Sequence, residues 1–241
     1  MDFIEGEILA FDKPYGWTSF DVVGKVRWML CRKLGVKRLK VGHTGTLDPL
    51  ATGVVVVCTG KKTKLIDELQ QHTKEYVATL QLGATTPSFD LEKPVDATYP
   101  TDHINLQLIQ QVIPRFQGEI WQTPPAFSAV KVDGKRAYAY ARKGEDIFLK
   151  PKLLVIDEIE IISYDDNHKQ LTLRIVCSKG TYIRALARDI GAALNSGAHL
   201  VALRRTRLGD IRVEDSLSFP QFTCLLDSLP VELPDRTTLL D

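Results

Sequence analysis

The chain has 241 residues and a net charge of +1. Its composition, 44% hydrophobic and 25% charged residues, is typical of a globular protein rather than a disordered one. An acidic N-terminus and the lack of a long apolar run argue against a signal peptide and a membrane span, so we expect a cytoplasmic protein without a membrane partner. Scattered cysteines and histidines, without CxxC or HxxxH spacing, predict neither a disulfide nor a metal site.

The first third of the chain predicts two strands, each followed by a helix. Residues 8–11 read as a strand, and Thr18 and Asp21 have the spacing of a capping box that begins a helix. The apolar residues at helical spacing, which predict its buried face, are Phe20, Val23, Val26, Leu30 and Leu34. Gly35 would end this helix. The β-branched run at 54–58 predicts a fully buried strand, and a short helix near 63–69 follows.

The rest of the chain mixes helices and strands irregularly. We expect an alternating strand at 74–83, a loop at 85–103, a helix at 106–116, a strand at 127–132, a short basic helix at 135–143, a hairpin of 153–162 with 171–177 and a helix at 181–194. Arg184 and Arg188, four residues apart, would lie on one side of that last helix. No strict βαβ repeat is present, so the fold class should be α+β with a mixed, largely antiparallel sheet and flanking helices.

One carboxylate stands out in the glycine-rich stretch 42–53. Asp48 is the only Asp or Glu between Asp21 and Asp67, and a buried strand follows it directly. An Asp-Pro pair among glycines is an ordinary turn signal, and that reading stays open. A rigid core strand is nevertheless well suited to hold a catalytic group still.

Basic residues cluster in two segments despite the small net charge. Residues 22–47 contain seven Lys or Arg and no acid, and residues 179–207 contain six Lys or Arg against Asp189 alone. Phosphate contacts depend on the local field rather than on the total charge, so this distribution fits an RNA-binding protein. A solvated basic surface is the simpler explanation for any single residue.

Five stretches in a fixed order carry a resemblance to a known family. They are GHTGTLDPLATG (42–53), KEY (74–76), PPAFSAVKVDGKRAYAYARKG (124–144), CSKGTYIRALARDIG (177–191) and GAHLVALRRTRLG (197–209). Together they resemble the bacterial TruB family of tRNA pseudouridine-55 synthases. The resemblance spans residues 8–210 and implies the pseudouridine synthase catalytic fold.

The resemblance also implies a reaction and its residues. The family isomerises a uridine in the T loop of tRNA, after flipping the base, without any cofactor. Asp48 matches the catalytic carboxylate, Arg184 the arginine that pairs with it and Tyr76 the tyrosine that stacks on the base. The residues that we expect to contact RNA are His43, Lys131, Lys135, Arg136, Arg142, Lys179 and Tyr182. The expected partner is the T arm of tRNA, bound by a monomer.

The resemblance divides the chain into a catalytic domain at 1–210 and a short extension at 211–241. The catalytic domain would include a thumb-like RNA-binding insertion at about 124–150. Many family members continue into a PUA domain, but the segment that follows Gly209 is too short and too acidic to form one. The resemblance therefore does not extend to the acceptor-stem contacts that a PUA domain makes.

Three other functions remain compatible with parts of the pattern. A glycosidase or nucleoside hydrolase could use Asp48 as nucleophile, but it would normally need a second carboxylate, and the five stretches offer no obvious one. A non-catalytic RNA-binding or RNA-folding protein would keep the basic surface without requiring Asp48, Tyr76 and Arg184 together. A synthase that acts on another RNA would share most of the same site.

Overall fold

The computed structural model describes residues 1–128, 130–132, 134–145 and 147–230. The strands are β1 (Ile8–Lys13), β2 (Val41–His43), β3 (Thr52–Thr59), β4 (Lys74–Leu82), β5 (Ala84–Thr85), β6 (Ala97–Thr98), β7 (Gly118–Gln122), β8 (Lys131–Val132), β9 (Lys135–Arg136), β10 (Lys152–Asp165), β11 (Gln170–Cys177), β12 (Ala198–Leu208) and β13 (Ile211–Arg212). The helices are α1 (Ser19–Leu34), α2 (Ile66–Leu69), α3 (Leu106–Val112), α4 (Ala137–Ala141), α5 (Ile183–Ala193) and α6 (Phe219–Ser228). Three short 3₁₀ segments cover Gly60–Leu65, Ile113–Phe116 and Val213–Asp215.

The chain forms two compact units, one of residues 1–72 with 205–241 and one of residues 73–204. Four pairs of strands are antiparallel, namely β1 with β3, β4 with β11, β11 with β10 and β10 with β7. The α+β class with a largely antiparallel sheet is therefore confirmed.

The first unit is built around β3, whose residues Val54–Cys58 are completely buried. β1 and β2 both pair with β3, and Phe11 of β1 packs against Phe219 and Phe222 of α6 with ring centroids 5.4 and 5.1 Å away. Burial of a continuous β-branched strand on both faces makes β3 a stiff support for the loop that precedes it.

Helix α1 begins and ends where its sequence predicts. Thr18 accepts from the backbone N–H of Asp21 and the Asp21 side chain accepts from the N–H of Thr18, which completes the capping box. Gly35 ends the helix in the left-handed conformation at φ 67°. One part of the prediction is wrong: Phe20 was expected on the buried face, but its side chain is 73% exposed.

The second unit contains an antiparallel sheet in the order β4, β11, β10 and β7, with α5 in contact with β4. Along β4 the buried residues alternate as predicted, with Tyr76, Ala78, Leu80 and Leu82 facing the core. Of the described residues in the strand expected at 127–132, Lys131–Val132 alone form a strand, which pairs with β9. The expected loop at 85–103 contains the small ladder of β5 and β6.

Strands β7 and β12 and helix α6 were not anticipated from the sequence. In β12 the arginines at positions 204, 205 and 207 interrupt the hydrophobic alternation by which a strand is normally found. The unit boundary falls within this strand, between Arg204 and Arg205.

Candidate active site

Asp48 lies half-buried in the connection between β2 and β3, and the residues on both sides of it are anchored. On one side, the buried Ser19 hydroxyl accepts from the Leu47 N–H at 2.8 Å and donates to the Leu47 carbonyl at 3.3 Å. On the other side, the Pro49 carbonyl accepts from the Gly16 N–H at 2.9 Å. The backbone therefore fixes where this carboxylate sits before any ligand binds.

Lys13, at the end of β1, is a buried cation that interacts with the charge of Asp48, and it was not assigned a role from the sequence. It is fully buried, and its Nζ donates to the carbonyls of Pro14, Trp17 and Pro49 at 3.0, 2.5 and 3.2 Å. Burial lowers the pKa of Lys13 to about 8, and the negative charge of Asp48 works against that shift. Lys13 thus ties the segment after Asp48 to β1 and supplies a local positive charge.

His43 is half-buried at the end of β2, in the same connection as Asp48. Its Nδ1 accepts from the Gly45 N–H at 3.2 Å, which places the proton of a neutral imidazole on Nε2. Burial and the nearby charge of Arg205 hold the pKa of His43 below its ordinary value. The exposed ring of Phe20 meets the imidazole edge-on, with centroids 5.2 Å apart. His43 is therefore a neutral ring with a fixed orientation.

Arg205 is a second buried cation of the first unit that was not assigned a role from the sequence. Its Nε donates to the Val54 carbonyl at 2.7 Å and its Nη2 to the Gly45 carbonyl at 3.4 Å. Gly53 has φ +105°, and a Cβ there would lie 2.1 Å from the Arg205 carbonyl oxygen. Only glycine permits this approach, which brings the guanidinium under the Asp48 loop.

In the second unit, Arg184 is buried at the start of α5 and connects three parts of the chain. It donates to the Ser88 carbonyl at 3.1 Å and to the Phe127 carbonyl at 3.0 Å, and its Nε lies 3.7 Å from the Asp90 carboxylate. The Arg184 and Asp90 side chains are only 7% and 9% exposed. Asp90 was missed because a Thr-, Pro- and Asp-rich stretch reads as an ordinary loop.

The loop that carries Asp90 is held in a strained form. Phe89 has φ +61°, which is unusual for a bulky residue. Its carbonyl accepts from the Leu200 N–H at 2.9 Å, and the guanidinium of Arg188 lies 5.0 Å from its ring centroid. Arg188 also donates to the Thr123 carbonyl at 3.1 Å. These contacts fix the loop so that Asp90 is presented to Arg184.

The two predicted tyrosines also lie in the second unit. Tyr76 is buried on β4, opposite Ile175 of β11. Tyr182 is half-buried directly before α5, where its backbone N–H and carbonyl both pair with the side-chain amide of Gln122, at 2.9 and 3.2 Å. The structure thus brings Tyr182 and Arg184 together at the same helix start.

Most of the predicted RNA-binding cations are exposed. Lys135, Arg136, Arg142 and Lys179 all lie at the surface, whereas the side chain of Lys131 lies outside what the structure describes. Arg142 stays near the ring of Tyr138, with its Cζ 5.2 Å from the centroid. Exposed cations beside an aromatic ring are suited to contact phosphates and bases.

Asp48 and His43 belong to the first unit, whereas Tyr76, Tyr182 and Arg184 belong to the second. The pairing of Arg184 with Asp48 that the resemblance implies joins the two units and stays a prediction. Across the described residues, no three His, Cys, Asp or Glu side chains are grouped so that they could hold a metal ion. Within the same part of the chain, every helix is too short or too polar to cross a bilayer.

Comparison with known proteins gives family matches along most of the chain. Residues 32–183 match the model of the TruB family pseudouridylate synthase N-terminal domain, and residues 184–228 match the tRNA pseudouridylate synthase B C-terminal domain. The tRNA pseudouridine synthase B of Phocaeicola vulgatus is 66% identical, covering 96% of this chain and 98% of that protein. The one of Bacteroides fragilis is 63% identical, covering 98% and 100%.

Among solved structures, a chain of a Cbf5-Nop10-Gar1 complex is 30% identical, with a TM-score of 0.66. The match covers 93% of this chain and 54% of the chain in that complex, so this chain spans about half of the other chain's length.

Proposed function

Since this chain belongs to the TruB family of pseudouridylate synthases, we propose that it converts uridine 55 in the T loop of tRNA to pseudouridine. Relatives of nearly the same length bear the name tRNA pseudouridine synthase B, which supports tRNA as the substrate. The observation that carries the proposal is the Asp48 loop. It offers one half-buried carboxylate, anchored on both sides, with the buried ammonium of Lys13 close enough to interact with its charge.

The proposed reaction uses Asp48 as the catalytic carboxylate. The N1–C1′ bond of uridine breaks, the base turns, and C5 forms the new bond to C1′. The proton on C5 is released and N1 gains one, so atoms and charge balance without a redox partner. A carboxylate can attack or stabilise the electron-poor carbon, as in retaining sugar chemistry. A preformed loop contributes because the carboxylate needs no reorganisation when the base arrives.

The other site residues act on the base and on the RNA. The base must leave its stack at a cost of a few kcal/mol, and the neutral ring of His43 is suited to take space beside the extruded nucleotide. Tyr76 would stack on the base, and Tyr182 would line the same pocket. Arg184, already held by two carbonyls and near Asp90, would present its charge to Asp48. The exposed cations of the 124–150 insertion and Lys179 would contact phosphates.

The test is tritium release from a tRNA transcript labelled at uridine C5, since loss of that hydrogen accompanies formation of the new bond. Wild type should release tritium, Asp48→Asn should not, and Asp48→Asn should keep most of its RNA affinity. Asp21→Asn is the matched control, because it removes an acid of the same unit while the asparagine side-chain oxygen can still accept from the Thr18 N–H in the capping box. A transcript with cytidine at position 55 should release nothing from the target site.

Two of the alternative functions have their own results in this experiment. Tight binding without release by wild type would favour an RNA-folding protein. Release that persists on the cytidine transcript would mean that another uridine or another RNA is the substrate. Equal losses of binding and turnover in Asp48→Asn would contradict the catalytic assignment.

A further inference from the structure

Helix α1 carries an exposed aromatic stripe that its fold does not explain. Phe20, Gly24 and Trp28 follow each other at four-residue spacing, so they lie along one side of the helix. The side chains of Phe20 and Trp28 are 73% and 53% exposed. The opposite side of α1 packs into the first unit through Val22, Val26 and Leu30, so the stripe contributes nothing to that core.

Basic side chains surround this stripe. Lys25 Nζ lies 4.9 Å and Arg32 Cζ 5.5 Å from the centroid of the Trp28 ring. The carboxylate nearest in sequence, Asp21, is engaged in the capping box. Further exposed cations follow in the same segment, namely Lys37, Arg38 and Lys40. Aromatic faces bordered by cations are the arrangement on which unpaired nucleotides stack while their phosphates are neutralised.

Gly24 is the second unusual feature of the stripe. Glycine is a poor helix former, and here it occupies the middle of a 16-residue helix. Its backbone does not require glycine, since its φ is not positive, and an added Cβ would meet nothing within 4 Å. No contact with the part of the chain that the structure describes accounts for it. Its effect is to leave bare backbone between Phe20 and Trp28, where a flat base or a ribose can come close.

The stripe continues into the candidate active site. Phe20 meets His43 edge-on, and His43 lies in the same connection as Asp48. From Phe20 to Trp28 the helix rises roughly 12 Å, at about 1.5 Å per residue. Stacked nucleotides are spaced by about 3.4 Å along one strand, so roughly three could lie along it.

We propose that the aromatic–basic stripe of α1 (Phe20, Gly24, Lys25, Trp28 and Arg32) binds unpaired nucleotides of the RNA substrate next to the base held over Asp48. This inference rests on the proposed function, because it assumes that RNA reaches the Asp48 loop. It adds an RNA-binding surface in the first unit to the cations of the 124–150 insertion and Lys179.

The first experiment measures affinity for an unmodified tRNA transcript and the quenching of tryptophan fluorescence on binding. Trp28→Leu should weaken binding at least five-fold, the lower end for loss of one stacked base, and should remove most of the quenching. Trp121→Leu is the control, because Trp121 is also exposed but lies on β7 of the second unit. It should bind as wild type does.

Gly24→Gln separates recognition from folding. Glutamine is a better helix former than glycine, so this variant should be at least as stable as wild type in urea. It should nevertheless bind the transcript more weakly, because its side chain fills the gap. The double variant Lys25→Gln with Arg32→Gln should lose two phosphate contacts. Each contact to a single strand contributes ~0.7 to the slope of log affinity against log salt concentration, so the slope should become about 1.4 shallower.

Wild-type affinity and quenching in Trp28→Leu, with Gly24→Gln also unaffected, would overturn the proposal. Wild-type RNA affinity together with a dimer that dissociates in Trp28→Leu would overturn it too, and would assign the stripe to self-association. None of these measurements requires turnover. Failure of the stripe is therefore separable from failure of the proposed function, which shows as absent tritium release by wild type.

Discussion

Replacing Gly53 by alanine tests whether the close approach of β3 to Arg205 supports the Asp48 loop. The new Cβ would lie 2.1 Å from the Arg205 carbonyl oxygen and 2.8 Å from its nitrogen, and both belong to backbone that cannot swing aside. Strain at φ +105° costs about 1–2 kcal/mol. Forcing two packed strands apart costs about 1–3 kcal/mol more. We expect the free energy of unfolding to fall by about 2–5 kcal/mol.

Gly16→Ala is the matched control, because Gly16 also has a positive φ, +81°, but an added Cβ meets nothing within 4 Å. It should lose only the strain, about 1–2 kcal/mol. Urea titrations followed by circular dichroism give both values, and tritium release shows whether Gly53→Ala also slows turnover by moving the loop. Equal unfolding midpoints for the two variants would refute the reasoning, because the steric contact would then cost nothing.

Two further predictions concern the anchors of the same loop. Ser19→Ala leaves the Leu47 N–H without its buried acceptor and should cost about 1–3 kcal/mol and reduce kcat. Thr18→Ala, which removes only the helix cap, should cost about 1 kcal/mol without lowering kcat. The pKa of Lys13 is about 8 in the folded protein, against an ordinary value of 10.5. Between these two pH values the unfolded chain binds the extra proton, so the free energy of unfolding rises with pH. The total rise is about 3 kcal/mol. Lys13→Met should lack this rise in urea titrations from pH 7 to 10, and an unchanged pH profile would contradict the buried position of the ammonium.

The elements that the sequence predicts well are those fixed by local chemistry. The capping box at Thr18 and the glycine stop at Gly35 need only neighbouring residues, and they form where expected. The alternation around Tyr76 and the β-branched run of β3 likewise report burial directly. The order of the strands in each unit depends on distant pairings and could not be read from these local patterns.

The misses have a common physical origin, because spacing shows which side chains share a face but not what that face meets. Phe20 lies at helical spacing with core residues, yet it lies at the edge of the buried apolar face of α1 and is exposed to solvent beside His43. Arg205 looks like one surface charge among several, yet it is buried under the Asp48 loop. Asp90 becomes notable only when its loop is seen to face Arg184.

The double attachment of Arg184 affects how any mutant of this residue should be interpreted. One guanidinium holds the carbonyl of Ser88 in the strained loop and that of Phe127 at the root of the insertion. A shift in either segment would therefore be transmitted to the other, so the Asp90 loop and the 124–150 insertion are mechanically linked through Arg184. An inactive Arg184→Ala enzyme would therefore have lost the hydrogen bonds that hold these two segments as well as the positive charge, and inactivity alone would not separate the two effects.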